Sequence, residues 1–108
     1  MKLLSSLKQK KRYLVFEVIS DKKILIGEIE KTVFQALLSF LGELGVSRVS
    51  PMFIKGNQQR FILKVNNKYV KEVQAALILI KTIKNIDVIV KSLTTAGTIK
   101  KANLVLNK

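Results

Sequence analysis

The sequence predicts an α+β fold of the ferredoxin-like type, the split βαβ sandwich that many RNA-recognition motifs also adopt. Its four-stranded antiparallel sheet would carry two main helices on one face, with a short basic segment or helix at the C-terminus. Three observations lead to this prediction. The elements follow the order strand, helix, strand, strand, helix, strand, and the hydrophobic period switches between two and about 3.6. The length of 108 residues, 48% of them apolar, suits one core.

The first half of the chain is predicted to form a strand and then a long helix. Residues 12–20 are rich in alternating β-branched and aromatic side chains. Over residues 26–44, apolar residues recur every three or four positions, which indicates a helix of about five turns. Gly45 is the predicted stop of this helix, because glycine readily adopts the left-handed conformation at a C′ position.

Two short strands are predicted next, over residues 49–55 and 59–65, with the segment Gly56 to Gln58 as a hairpin connection. The second of these strands has one apolar and one basic face. Asn66 and Asn67 are predicted to cap a second helix.

That second helix is predicted over residues 68–84, and a β-branched run from residue 86 to Ala96 predicts the last strand. Both helices carry apolar residues beyond their core stripes. Either these residues broaden the core contact of a small domain, or they form a surface for a protein partner. They are Phe34, Leu38, Leu41, Ala75, Ile78 and Leu79.

The segment after the last strand has the features of an anion site. Gly97 allows a turn with positive φ, and Thr98 is predicted to be the N-cap of a short final helix. The first turn of that helix would direct free backbone N–H groups outward, beside the charges of Lys100 and Lys101. Phosphate is the most plausible anion for such an arrangement.

The charge of the chain points to a polyanionic partner. Twenty Lys and Arg against seven Asp and Glu leave a net charge of +13. This excess is far above the magnitude of ~2 to 8 that solubility requires of a small domain. Nucleic acid or an anionic membrane surface is therefore the expected partner class, and a charged surface without a dedicated partner is the alternative.

The composition also excludes several kinds of enzyme. The chain has no Cys and no His, so thiol nucleophiles, Ser-His-Asp triads and the usual zinc sites are excluded. The seven acidic residues are scattered, and no glycine-rich nucleotide-binding loop occurs. No cofactor is expected to bind this chain.

The chain is expected to be cytoplasmic. The cations from Lys8 to Arg12 interrupt the apolar N-terminal run, so no export signal is predicted. The longest uncharged run, residues 32–42, is shorter than the ~18 residues of a membrane span. We divide residues 1–108 into one RNA-binding domain with a basic arm at 1–11 and a basic C-terminal segment at 96–108.

Contact with RNA is expected through backbone and shape, because the strand at residues 59–65 lacks the glycine and aromatic signature of RNA-recognition motifs. Base stacking would also require Tyr13 and Phe61 to share the open face of the sheet. We expect about half of the candidate cations to be solvated and not bound, because an RNA footprint uses only some of the available charges. The candidates are Lys8, Lys10, Lys11, Arg12, Arg60, Lys64, Lys91, Thr98, Lys100 and Lys101.

Four stretches at their observed separations carry a family resemblance. They are KRYLVFEV at 11–18, LGELG at 41–45, VQAALILI at 73–80 and TAGTIKK at 95–101. Together they resemble the archaeal ribonuclease P protein component 2 family over most of the chain. The chain departs from the family at Ala96, where the family usually has Ser, and at Lys64, where it commonly has Arg. Lysine in place of arginine exchanges a bidentate fork for a point charge.

The resemblance implies a non-catalytic protein subunit of ribonuclease P, which removes the 5′ leader from precursor tRNA. It implies that the RNA of the particle holds the active site and requires Mg²⁺, while this chain binds that RNA and meets precursor tRNA indirectly. It also implies pairing with ribonuclease P protein component 3, in a dimer of heterodimers. The extra apolar residues of both helices would then form the protein interface.

Three other functions compete with this interpretation. The first is a ferredoxin-like protein interaction module with incidental basic charge. The second is an enzyme with a lysine base or nucleophile, although no single lysine stands out. The third is a membrane-surface protein, which is disfavoured because the cations are spread over strands as well as helices.

Overall fold

The computed structural model describes residues 10–108, and within them the α+β class is confirmed. The five strands form one antiparallel sheet in the order β2-β3-β1-β5-β4, so the predicted four strands were one too few. Lys8 and almost all of the predicted basic arm lie outside the described residues. The elements are β1 (Lys11–Ser20), α1 (Ile26–Val49), β2 (Met52–Asn57), β3 (Arg60–Asn66), a 3₁₀ turn (Asn67–Tyr69), α2 (Val70–Ile78), β4 (Thr82–Ile83), β5 (Ile86–Ala96) and α3 (Ile99–Leu106).

Strand β1 lies at the centre of the sheet, between β3 and β5. Its side chains alternate between the two faces, as the sequence predicts. Leu14 and Phe16 are buried on the face covered by α1 and α2, which we call the helical face. Val15 is buried on the opposite side, together with Ile62 of β3. The sheet therefore has apolar residues on both of its faces.

Helix α1 is interrupted at Gly42, which has φ 74° and ψ 172°. Gly45, the predicted stop, continues the helical segment, and the chain leaves it at Ser50 in the left-handed conformation. The predicted stop at Gly45 was therefore wrong. The helix is broken at Gly42, where the positive φ would be unfavourable for a residue with a side chain. The extra turns after Gly42 move the start of β2 to Met52, beyond Pro51.

Helix α2 ends at Ile78, although the apolar spacing had predicted a helix to residue 84. The chain then forms β4, which pairs Ile83 with Ile86 of β5. The two residues between them, Lys84 and Asn85, have φ of 52° and 65°. Two consecutive positive φ values are typical of the tight turns that join hairpin strands. Ile83 is buried in the core, although it lies in a strand and not in the predicted helix.

The main core lies on the helical face. Phe16 and Phe61 stack with ring centroids 5.4 Å apart, and Phe53 stacks on Phe61 at 5.2 Å. Helices α1 and α2 cover these rings with buried aliphatic residues such as Leu37 and Leu77. Burial of this apolar surface is the dominant favourable term in folding.

Helix α3 packs across the other face of the sheet, which we call the α3 face. Ala102 and Leu106 of α3 are buried against Val15, Ile62 and Ala96. The prediction that this face would be open was therefore wrong for its central part. The final helix has an apolar side of its own, and that side needs cover from the sheet. Within residues 10–108, no helix combines the length and the apolarity required to cross a bilayer.

Candidate nucleic-acid interface

Most of the positive charge on the described residues has no acidic partner. Two ion pairs occur within residues 10–108: Arg60 Nε lies 3.3 Å from Glu17 Oε2, and Lys84 Nζ lies 3.8 Å from Glu28 Oε2. The remaining cations of this part of the chain are free to meet an external anion. Such a surface favours association with a polyanion.

The first turn of α3 is built as the sequence predicts. Thr98 is extended, with φ −135° and ψ 154°, and its Oγ1 accepts a hydrogen bond from the backbone N of Lys101 at 3.3 Å. This bond confirms the N-cap. It also uses one of the N–H groups that the anion hypothesis had left free. The side chains of Lys100 and Lys101 are exposed.

Gly97 does not have the predicted positive φ. Its structural interest lies in its close approach to the side chain of Arg12. A Cβ on Gly97 would lie 3.1 Å from Nη1 of Arg12. The missing side chain makes room for the guanidinium group. Arg12 is therefore placed beside the turn that leads into α3.

The position of Arg12 is fixed by the turn after β3. Its Nε donates to Oδ1 of Asn67 at 2.8 Å, and the backbone N of Asn67 donates to the carbonyl of Lys10 at 2.8 Å. Asn66 and Asn67 were both predicted to cap the second helix. Asn66 instead caps the 3₁₀ turn, and α2 begins after Tyr69 without a side-chain cap. Asn66 Oδ1 accepts from the backbone N of Lys68 at 3.0 Å.

The fold brings one group of the predicted RNA contacts together. Ala96 of β5 pairs with Tyr13 of β1, so the start of β1 and the start of α3 are neighbours. Lys64 lies opposite Tyr13 on β3, with its Nζ 5.9 Å from the centre of the tyrosine ring. The members of this group are Lys10, Lys11, Arg12, Lys64, Thr98, Lys100 and Lys101.

Two other predicted contacts, Arg60 and Lys91, lie at the opposite end of β1. Both are paired in register with Glu17, five residues from Arg12 and about 16 Å along the strand. Arg60 is also used within the fold, because its Nη1 donates to the carbonyl of Val105 at 2.9 Å. This contact holds the C-terminal end of α3 on the sheet.

The structure also shows whether Tyr13 and Phe61 can form a common surface for base stacking. Phe61 is fully buried on the helical face, whereas Tyr13 packs against the α3 face. The two rings thus lie on opposite sides of the sheet and offer no shared surface for bases. Contact with the RNA backbone remains the expected mode.

Sequence analysis missed a polar cleft beside Arg12. It has a volume of about 600 Å³, and its lining includes Arg12, Asn67, Lys68, Lys71, Gln74 and Thr95. Lys68 and Lys71 are three positions apart at the start of a helical segment, which places them on one side of it. That spacing is a signal in the sequence that could have identified this surface.

The exposed helical surface contains part of the predicted protein interface. Phe34 and Leu41 are partly buried and pack against the main core. Leu38, Ile78 and Leu79 are about half exposed, at 47%, 56% and 57%, and Ala75 is exposed as well. These four residues are therefore available to a partner.

A shallow apolar groove of about 250 Å³ separates α1 from α2 on this surface. Its lining includes Phe40, which is 48% exposed and was not among the predicted interface residues. Leu44, farther along α1, is 65% exposed. The apolar surface therefore extends beyond the two predicted strips, toward the break at Gly42.

The family model described as Rpp14/Pop5 matches residues 12–106, from the second residue of β1 to the last of α3. The chain belongs to the Rpp14/Pop5 family. The resemblance drawn from the four sequence stretches is thereby confirmed.

Relatives of this family member include archaeal proteins named ribonuclease P protein component 2. The protein from Thermococcus kodakarensis is 40% identical over 98 residues, which cover 89% of this chain and 82% of that protein. The protein from Methanocaldococcus jannaschii is 32% identical over 99 residues, which cover 92% of this chain and 74% of that protein.

A chain in the cryo-EM structure of yeast ribonuclease MRP has a similar fold. The TM-score is 0.69 at 13% sequence identity, and the match covers 85% of this chain and 77% of that chain. The likeness extends the α+β architecture of this family member to a eukaryotic protein.

Proposed function

We propose that this chain is a non-catalytic protein subunit of a cytoplasmic ribonuclease P, and that it binds the catalytic RNA and supports removal of the 5′ leader from precursor tRNA. The observation that carries the proposal is the 40% identity, over most of both chains, with a protein named ribonuclease P protein component 2. The match of the family model to residues 12–106 supports it.

The physical role of the chain is charge neutralisation. The net charge of +13 is carried mostly by side chains without an ion-pair partner among residues 10–108. Such cations displace counterions from RNA, and they lower the cost of packing phosphates close together. The active site would lie in the RNA with its Mg²⁺ ions, and this chain would hold the RNA in its cleaving geometry.

Ribonuclease P protein component 3 is the proposed protein partner, in a dimer of heterodimers. The exposed apolar residues Leu38, Ile78 and Leu79, with the groove between α1 and α2, support a protein contact on the helical surface. The RNA contacts would then occupy the start of β1 and of α3.

A ferredoxin-like fold, extended by the short strand β4 at one edge, is part of the same proposal. The order β2-β3-β1-β5 and the antiparallel pairing of all neighbours support it.

Cleavage of precursor tRNA by the cognate ribonuclease P RNA at low Mg²⁺, with and without this chain and its protein partner, tests the proposal. We expect omission of this chain alone to abolish the stimulation of the rate, because the crowded phosphates then lack their counter-charges. Unchanged cleavage without the chain, with partner binding intact, would instead favour a protein interaction module.

Paired variants test the predicted site at α3. Replacement of Lys100 and Lys101 by alanine should weaken RNA binding and reduce the slope of log K against log salt by about 0.9 for each phosphate that is no longer neutralised. The matched control replaces Lys22 and Lys23, which are also exposed but follow the far end of β1. Equal slopes for the two double variants would count against the α3 site.

A further inference from the structure

We propose that the polar cleft beside Arg12 binds a phosphodiester segment of the RNA backbone, with Arg12 as its central ligand. This inference rests on the proposed function and assigns an RNA contact to a surface that includes the start of α2. The cleft joins the start of β1, the 3₁₀ turn and α2 with Thr95 near the end of β5. Its volume of about 600 Å³ falls in the ~300–1,000 Å³ range of ligand pockets, so a nucleotide-sized segment fits.

Arg12 is held ready for an anion. The hydrogen bond from its Nε to Asn67 Oδ1, at 2.8 Å, fixes the plane of the guanidinium group. Within residues 10–108, its two Nη atoms make no hydrogen bond, and no acidic group pairs with it. The planar fork of a guanidinium group matches the geometry of phosphate oxygens. Because the side chain is already ordered, binding sacrifices little rotamer freedom.

Gly97 is part of the same arrangement. An ideal Cβ on this residue would lie 3.1 Å from Arg12 Nη1, closer than most such contacts. Its φ lies outside the left-handed region, so the backbone there would accept any residue. A side chain at this position would therefore require the guanidinium group of Arg12 to shift by a few tenths of an ångström.

The hydroxyl of Thr95 adds a neutral donor to the cleft. Gln74 Nε2 donates to Oγ1 of Thr95 at 3.4 Å and to Oγ of Ser92 at 3.3 Å. Because Thr95 Oγ1 accepts in this contact, its own O–H remains available to donate to another group. Phosphate oxygens accept hydrogen bonds and cannot donate them once ionised, so they suit this donor.

The formal charge of the cleft favours an anion. Arg12, Lys68 and Lys71 are opposed by Glu72 alone among the lining residues, which leaves +2. Lys68, Lys71 and Glu72 are all exposed, and none is within ion-pair distance of an opposite charge in the described residues. The carboxylate of Glu72 therefore reduces the positive charge of the cleft, which remains positive overall.

A polyanion fits better than a single anionic group, because two basic surfaces meet at Arg12. Gly97, which lies against Arg12, is followed directly by Thr98 and the first turn of α3. A chain of successive phosphates could contact Lys68 and Lys71 on one side of Arg12 and Lys100 and Lys101 on the other. RNA provides such a chain, and contacts to its backbone need no base-stacking surface.

Binding of the cognate ribonuclease P RNA across a salt series tests the proposal. The double variant K68A/K71A should lower the salt slope by about 1 to 2, since each phosphate that a cation neutralises contributes ~0.9. The control K22A/K23A removes the same charge outside the cleft and should change the slope much less. Both pairs are exposed, so both variants should fold.

Three single variants separate a binding site from a structural role. Arg12→Lys keeps the charge but loses the fork, and should weaken RNA binding about tenfold. Gly97→Ala should weaken binding without unfolding the chain, because it displaces the guanidinium group. Glu72→Gln should tighten binding and steepen the salt slope, an effect that a merely structural cleft would not produce.

The outcomes distinguish this inference from the function on which it rests. Failure of the unaltered chain to bind the RNA would overturn the proposed function. A second outcome requires that the unaltered chain binds the RNA. If K68A/K71A then has the same salt slope as K22A/K23A, while the salt slope of K100A/K101A is reduced, the cleft does not bind RNA. The proposed function would stand in that case. If K68A/K71A loses binding to the protein partner while its RNA binding is unchanged, the cleft binds an acidic segment of that partner. This result would also overturn the proposed RNA contact.

Discussion

The two faces of the sheet are stabilised differently. On the helical face, eighteen apolar residues among those described are buried in one cluster, with the rings of Phe16, Phe61 and Phe53 stacked at its centre. On the α3 face, the corresponding cluster has five buried residues. Polar contacts surround the smaller cluster, including a hydrogen bond of 2.8 Å between the side chains of Asn57 and Asn107.

The two faces of the sheet therefore contribute unequally to the stability of the fold. The hydrophobic contribution scales with the apolar area removed from water, so the helical face supplies most of the stability. Helix α3 buries fewer apolar side chains, so we expect it to open locally before the main core unfolds. The predicted RNA contacts at Thr98, Lys100 and Lys101 lie at the start of this helix.

The largest expected effect is on the helical face. Phe61→Ala should lower the free energy of unfolding by about 3–5 kcal/mol, because it removes a fully buried ring and leaves a cavity between Phe16 and Phe53. Urea denaturation measures this change. The control Ile89→Ala, at a side chain that is 65% exposed, should stay within about 0.5 kcal/mol. Similar losses for both variants would contradict the placement of the core.

A smaller and more local effect is expected on the α3 face. Leu106→Ala removes a buried side chain at the end of α3 and should cost about 2 kcal/mol, the lower limit for such changes. Hydrogen exchange should show faster exchange of the α3 amides while those of β1 and α2 stay protected. Leu104→Ala on the same helix, where the side chain is 67% exposed, is the matched control. Equal deprotection throughout the sheet would mean that the two faces unfold as one unit.

The sequence predicted the parts of the fold that depend on local patterns. The parity of β1, the N-cap at Thr98 and the order of the main elements follow from hydrophobic period and cap chemistry. The end of α2 did not follow, because Ile80 and Ile83 keep a helical spacing while they serve a turn and an edge strand. The spacing indicated correctly that these two residues are buried. The pairing of Ile83 with Ile86 determines that the segment is a strand and not a helix.

The candidate site was predictable by residue type but not by arrangement. Lysine at the start of β1 and after β5 was identified from charge and position. The packing of Gly97 against Arg12 depends on the pairing of Tyr13 with Ala96, which joins segments more than eighty residues apart. A pattern read along the chain cannot show which distant segments the sheet will join.

The smallest expected effect concerns Thr98, the N-cap of α3. This cap bears on both the stability of the helix and its proposed contact with RNA. Thr98→Ala removes the acceptor for Lys101 N and should destabilise the first turn by about 1 kcal/mol, which is typical for loss of an N-cap. Exchange should accelerate at the amides of residues 99–102, with no change at Leu63 or Val73 of the main core. Thr98→Ser keeps the hydroxyl and should restore both the protection and the salt slope of RNA binding. If Thr98→Ala frays the turn and the salt slope is unchanged, Lys100 and Lys101 do not need the helix to meet phosphate. The weaker attachment of α3 would then have no bearing on RNA binding.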